Sequence, residues 1–276
     1  MPATERWKSM IQAEHAQSDR MRDSAPPVDH WRPFARQFEA DPRRTGDELL
    51  ERLVSLVAPH QTLIDVGAGG GRLALPLALH CRHVTAVEPS ESMASVLLEQ
   101  AGEHGIENVS LVQARWEDAR VKPGDIVLCA HVTYTVTEIE QFVRKLEAHA
   151  GERVIIVLYD AAPQSQTYPL WKQIHGVERL PLPSLSELEE VLTQLGIVFR
   201  VDRLSPQPAR GFDNLEQAAT QISSRLYVNE GTPQSKKLEE ALRNSLEEQD
   251  GVFRIRGAKP LTPTLVSWQP SISGDR

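Results

Sequence analysis

Residues 62–73 read Thr-Leu-Ile-Asp-Val-Gly-Ala-Gly-Gly-Gly-Arg-Leu, and this stretch constrains the fold more than any other. Leu63, Ile64 and Val66 form a short apolar run that reads as a buried strand. Asp65 sits at its end, Gly67, Gly69 and Gly71 alternate behind it, and a helix is expected from Leu73. Glycines let the backbone bend tightly and let a ligand approach it closely. The helix start behind them presents unpaired N–H groups. Strand, glycine turn and helix together make a nucleotide-type site. The spacing is D-x-G-x-G-x-G, and Arg72 stands where a dinucleotide fingerprint would need its third glycine.

The flanking chain supplies alternating strands and helices. Thr45-x-x-Glu48 reads as a capping box opening a helix with Leu49, Leu50, Leu53, Val54 and Val57 inward. After the glycines a helix runs to Leu79, with Pro76 near its first turn or bending it. Residues 84–88 form a second strand ending in Glu88, about 20 residues beyond the first acid, where a carboxylate can accept both hydroxyls of a ribose. Ser90-x-x-Met93 opens the next helix. Val109–Val112 is a third strand, followed by a loop holding Arg115, Trp116 and Glu117. The fourth, Asp125–Ala130, is apolar throughout and therefore central and parallel. His131 and Tyr134 follow its carboxyl end, where open α/β sheets bind ligands. His131 is the general-base candidate, with a pocket-shaping role as the alternative; Tyr134 could orient an acceptor instead. Arg153–Leu158 is strand five and residues 197–201 are strand six, with a loop-rich insertion around Trp171 and Ile174 between them. Ser184-x-x-Glu187 caps an intervening helix that Gly196 closes. Residues 205–258 hold two further helices, the first capped by Asp213-x-x-Glu216, before a last strand at 264–268. At the N-terminus, Trp31, Phe34, Ala35 and Phe38 fall on one helical stripe, separated from an earlier helix by Pro26-Pro27.

This order of elements, the glycine motif and Glu88 together resemble the class I S-adenosylmethionine-dependent methyltransferases of small-molecule type. The resemblance implies an α/β, Rossmann-like, doubly wound fold: a mostly parallel seven-stranded sheet with an antiparallel last strand and a helical cap. The core would span 46–204 plus 259–270, and 1–45 with 205–258 would form the cap. The resemblance further implies that Gly67, Ala68, Gly69 and Gly71 run under the methionine part of S-adenosylmethionine. Asp65 would orient its ammonium, and Glu88 with Pro89 would hold the ribose. Met93, Arg115, Trp116, Glu117 and Ala130 would border adenine and the rest of the cofactor. Relatives that methylate amino groups of DNA bases or of protein glutamine carry an Asn/Asp-Pro-Pro-Tyr-like motif after strand four; here Ala130-His131-Val132-Thr133-Tyr134 stands there. A small-molecule acceptor is therefore expected. The alternatives are a non-catalytic binder of S-adenosylmethionine or S-adenosylhomocysteine and a nicotinamide-dependent oxidoreductase, whose fingerprint Arg72 breaks.

The net charge of −8 opposes a broad nucleic-acid footprint, which needs clustered Lys and Arg. The two cysteines, Cys81 and Cys129, lie far apart without a C-x-x-C, so reduced thiols and a cytoplasmic location are expected. His80-Cys81-Arg82-His83 lies at a helix–strand junction with no second ligand pair, so no metal site is expected. No apolar run approaches membrane-spanning length. Oligomeric state is not legible, and the tail beyond Pro270 is expected to be disordered.

Overall fold

The computed structural model describes residues 1–22 and 28–271; the Pro26-Pro27 break and the tail beyond 271 lie outside them. Seven strands form one sheet: β1 (Thr62–Val66), β2 (His83–Val87), β3 (Val109–Val112), β4 (Gly124–Ala130), β5 (Ala150–Tyr159), β6 (Arg200–Arg203) and β9 (Pro263–Trp268). Their order is β3-β2-β1-β4-β5-β9-β6, with β9 antiparallel to both neighbours and the other pairs parallel. Both faces are buried, which is why β4 and β5 read as apolar runs rather than as alternations. Ile64, Val66, Val127, Ile156 and Val266 point into one core. Leu63, Ile126, Leu128, Ile155 and Val157 point into the other.

Helices α2 (Glu48–Val54), α3 (Ala74–Ala78) and α4 (Glu91–Glu103) cover the second face. Helices α5 (Ile139–His149) and α7 (Leu185–Gln194) cover the first, together with α1 (Ala3–Met21), which buries Trp7 and Ile11 completely. The Trp7 indole donates to the Val136 carbonyl at 2.8 Å, so α1 is built into the core on this side.

Several local expectations shift for identifiable reasons. Helix α2 is capped by Asp47, whose carboxylate accepts from Leu50 N, and not by Thr45. Gly46 between them is left-handed, at φ 74°, and breaks any helix begun earlier. Strand β6 begins at Arg200 because Ile197 ends α7 instead. Its N–H bonds to Leu192 O while the left-handed Gly196 bonds to Thr193 O, a Schellman stop. The aromatic stripe is not an α-helix. Asp29 accepts the Trp31 N–H, Pro33 disfavours helix at Arg32, and only a 3₁₀ turn, Ala35–Phe38, follows.

The insertion around Trp171 and Ile174 is helical, α6 (Tyr168–His175). It packs with α8 (Leu215–Arg225), α9 (Pro233–Ser245) and a hairpin of β7 (Leu246–Gln249) and β8 (Val252–Ile255), which the sequence did not announce. These pieces share a core of Trp171, Ile174, Ile222, Leu226, Leu238 and Leu242. The cap thus includes α6, drawn from within the 46–204 span. Helix α8 is capped by Asn214 rather than Asp213, because Gln217 folds back on Asp213 while Asn214 takes the Gln217 N–H.

Candidate functional site

The glycine turn follows the carboxyl end of β1, beside those of β2 and β4, and residues 29–38 and 207–210 approach these strand ends. Gly67, Gly69 and Gly71 all have left-handed backbones, at φ 74°, 56° and 86°. The N–H groups of Gly67 and Ala68 both donate to Val87 O, which ties the turn to β2. Each glycine then has its own steric reason. A Cβ on Gly67 would strike Val132, and one on Gly71 would strike Leu75 and Leu97. A Cβ on Gly69 would meet nothing, so this residue faces open space above the sheet. Arg72, in the position of the missing third glycine, pairs with Asp47 at 3.3 Å.

Two acids face this turn. Asp65 is 2% exposed and has no hydrogen-bond partner among the described residues. Burial, and then the charge of Glu88, push its pKa up to about 7. Glu88 accepts Gly69 N–H and Ser90 N–H, each at 2.8 Å, which fixes both carboxylate oxygens and leaves further lone pairs for hydroxyl donors. Its pKa is raised by burial, against the pull of those two hydrogen bonds. Beyond it, Asp29 accepts from Ser90 Oγ at 2.9 Å and Ser92 N at 3.0 Å, pinning the N-terminal segment to the start of α4. Burial raises the Asp29 pKa, but the hydrogen bonds from Ser92, Ser90 and Trp31 outweigh it and hold it at about 2. An open glycine cradle, a buried carboxylate with no partner among the described residues and a carboxylate with spare lone pairs fit a ligand with an ammonium and a diol. S-adenosylmethionine has both.

After β4 the chain turns through His131, a non-glycine with φ 59°. Such a conformation costs energy and recurs at functional sites. Its ring stacks on Tyr159 with centroids 4.4 Å apart. The Tyr134 phenol accepts the Tyr159 N–H at 2.6 Å, so its own proton faces His131 Nδ1, 3.5 Å away. On these partners we assign the imidazole proton to Nε2, which is buried with no partner among the described residues. Burial, and to a lesser degree Arg72, lower the His131 pKa to about 4. His131 is thus a neutral N–H donor at neutral pH. The sequence suggested a base; with Tyr134 Oη 3.5 Å from Nδ1, the nitrogen left to carry the proton is the buried Nε2. The Tyr134 hydroxyl, suggested as an acceptor-orienting group, is turned inward to hold the end of β5.

The remaining expected residues divide. Ala68, Pro89 and Ala130 stay at the strand ends beside the glycine turn. Met93 is buried against Ala35, Val96 and Phe38, so it packs the N-terminal segment onto α4. Trp116 is turned into the first-face core, its ring on His149 and under Lys145, whose ammonium donates to the Trp116, Glu117 and Ala119 carbonyls. Arg115 and Glu117 are exposed beside it. Asp29, Tyr159, Gln207 and Arg210 were missed by sequence reasoning, because they reach the cleft from segments with no motif of their own. Tyr159 Oη donates to Gln207 at 3.2 Å, and Arg210 donates to Gln37 at 3.1 Å, linking cap to N-terminal segment. Among the described residues no group of three or more His, Cys, Asp or Glu is arranged to hold a metal, and no helix is long and apolar enough to cross a membrane.

A family model described as a methyltransferase domain matches residues 64–150. Over 167 residues the chain is 28% identical to a ubiquinone biosynthesis O-methyltransferase of Rickettsia canadensis, covering 54% of this chain and 70% of that one. A putative methyltransferase of Bacillus halodurans superposes with a TM-score of 0.55 at 15% identity, over 80% of this chain and 98% of that one. Magnesium protoporphyrin IX methyltransferase of Synechocystis PCC 6803, solved with bound S-adenosylhomocysteine, superposes at 0.50 and 19% identity, over 74% of this chain and 94% of that one. At such identity these two structural likenesses speak for the fold.

Proposed function

The chain has the class I S-adenosylmethionine-dependent methyltransferase fold, and from that premise we propose that it is a methyltransferase acting on a small-molecule acceptor. The observation that carries this reading is the Asp65–Gly69–Glu88 arrangement: a buried carboxylate, an open left-handed glycine and a second carboxylate locked to that glycine's N–H. Bound S-adenosylmethionine would supply an electrophilic methyl group on its sulfonium. Asp65 would take the ammonium, whose positive charge offsets the cost of an ionised buried carboxylate. Glu88 would accept the ribose hydroxyls with oxygens that Gly69 and Ser90 already orient. Most of the rate would come from holding the acceptor in line, since well-oriented reactants can gain roughly 7–11 kcal/mol.

His131 would border the acceptor, its buried Nε2–H able to donate once the cleft is occupied, and Tyr134 would fix that tautomer. An acceptor already able to share a lone pair, or one deprotonated in solution, suits a site whose histidine donates. The cap over the strand ends and the acidic balance of the chain support a small acceptor over a nucleic acid. The curated relatives bearing an O-methyltransferase name favour an oxygen acceptor.

Titration calorimetry with S-adenosylmethionine and S-adenosylhomocysteine tests the cofactor half: binding that Asp65→Asn weakens at least tenfold is expected. Formation of S-adenosylhomocysteine across an acceptor panel tests the catalytic half. Binding with no turnover on any acceptor would favour a non-catalytic binder.

A further inference from the structure

Glu88, the carboxylate that would take the ribose, is gripped by two backbone N–H groups. Its Oε2 accepts from Gly69 and its Oε1 from Ser90, both at 2.8 Å. Ser90 is therefore half of the grip, and it is itself held by a residue from outside the sheet and its helices. Its Oγ lies 2.9 Å from Asp29 Oδ1, and Asp29 Oδ2 accepts the Ser92 N–H at 3.0 Å. An ionised carboxylate only accepts, so the one proton of the Ser90 hydroxyl goes to Asp29. The hydroxyl oxygen keeps its lone pairs for the Met93 N–H at 3.2 Å, the cap that starts α4. Ser90 and Glu88 are both buried, so these partners are not freely exchanged for water.

Asp29 arrives on a segment that follows α4 closely. Its Oδ1 also takes the Trp31 N–H at 3.1 Å, closing a tight turn. Further on, Ala35 and Phe38 pack on Met93 and Val96, and Arg36 reaches Glu99 at 2.9 Å. Phe38 lies 3.5 Å from where a side chain on Gly70 would begin. The segment thus touches both the helix behind Glu88 and the glycine turn beside it. Asp29 is where it joins the hydrogen bonds that end on Glu88: the path Asp29–Ser90–Glu88–Gly69 is continuous, with no link longer than 2.9 Å. Hydrogen bonds weaken steeply with misalignment, and groups fixed in advance lose less on binding. Without Asp29 the Ser90 hydroxyl and the Ser92 N–H both lose a partner, and the Ser90 N–H that aims Glu88 is no longer held from behind.

We infer that Asp29 is a positioning residue for the cofactor: acting through Ser90, it sets the Glu88 carboxylate in place for the ribose hydroxyls. The 29–38 segment is then part of the cofactor site and not only a cover for the acceptor. This role rests on reading Glu88 as the ribose acceptor. The test is calorimetry with S-adenosylhomocysteine on the full chain carrying Asp29→Ala, Glu88→Ala or both. Asp29→Ala should weaken binding about tenfold. In the Glu88→Ala background the same change should cost less than about threefold, because the group it positions is gone. Asp29→Asn keeps an oxygen for Ser90 and Trp31 and loses only the Ser92 bond, so it should recover most of the affinity. Should Asp29→Ala not fold, Ser90→Ala cuts the same link from the other side and is held to the same tenfold loss and the same cycle with Glu88→Ala. Affinity unmoved by Asp29→Ala would overturn the inference. So would effects of Asp29→Ala and Glu88→Ala that simply add, or Asp29→Asn binding no better than Asp29→Ala, the marks of a residue that only packs its segment. A wild-type chain that binds no S-adenosylhomocysteine would defeat the methyltransferase reading and this role with it, whereas binding that Glu88→Ala weakens and Asp29→Ala does not would defeat this role alone.

Discussion

Asp65 holds the most informative balance at the residue scale. Its carboxyl rises from the usual 3.8 to about 7 on folding, so the folded chain takes up a proton between those values. The stability this group contributes is full below the lower value and is lost as pH rises through the upper one. Asp65→Asn cannot ionise, so above pH 7 it should stabilise the cofactor-free chain by on the order of 4 kcal/mol. The same change should weaken cofactor binding, a split that melting curves and calorimetry read together. Glu88 differs, because it already serves two backbone N–H groups. Glu88→Ala should therefore cost about 1–3 kcal/mol of stability as well as cofactor affinity. In denaturant titration, Glu88→Gln, which keeps one acceptor oxygen, should recover part of the stability. Tyr134→Phe should orphan the Tyr159 N–H, cost about 1–3 kcal/mol and free the His131 tautomer, visible by nitrogen NMR of the imidazole. Asp65, the glycines and Glu88 were legible in the sequence because strand, turn and acid lie close along the chain. The tautomer of His131 was not, since it depends on Tyr159, a partner 28 residues away whose position follows from β4–β5 pairing.

Among the elements, α1 contradicts the view of the N-terminus as a covering layer alone. Trp7 and Ile11 are fully buried in the first-face core, and Arg6 reaches Glu187 and Glu190 on α7. Trp7→Ala should cost about 3–5 kcal/mol, measured by denaturant titration, and removal of residues 1–40 should unfold the chain rather than merely open the cleft. The second half of α1 is tied to the cap by Glu14, which pairs with the buried Arg179, itself 3.8 Å over the Trp171 ring. The strands of the main sheet, α4, α5 and α7 were readable from period and caps, whereas the β7–β8 hairpin was not. The boundaries that slipped did so where a neighbouring residue took over a backbone group, as Asp47 did at α2 and Ile197 at α7. Helix α6 was missed because its apolar face is short and its partners, α8 and α9, lie far along the chain.

The whole molecule is a sheet with a cap assembled from separate stretches, joined across the cleft by Arg210–Gln37 and Asp29–Ser90. Trp31 remains 42% exposed in this state. If cofactor draws these walls together, hydrogen exchange should slow in 28–38 and 205–212 as well as at the glycine turn. Protection at the turn alone would mean that the walls do not move. The strand order has a consequence for how such a chain is made. β9 sits between β5 and β6, and among the described residues it is the only sheet neighbour of β6. A ribosome completes β6 long before β9, and every residue of α8, α9 and the hairpin emerges in between. Until Pro263–Trp268 arrives, β5 presents an open edge and β6 has nothing to pair with. The nascent chain must shelter that edge through the synthesis of the inserted part of its cap, so a transcript cut short before residue 263 should yield an aggregating product rather than a smaller working domain.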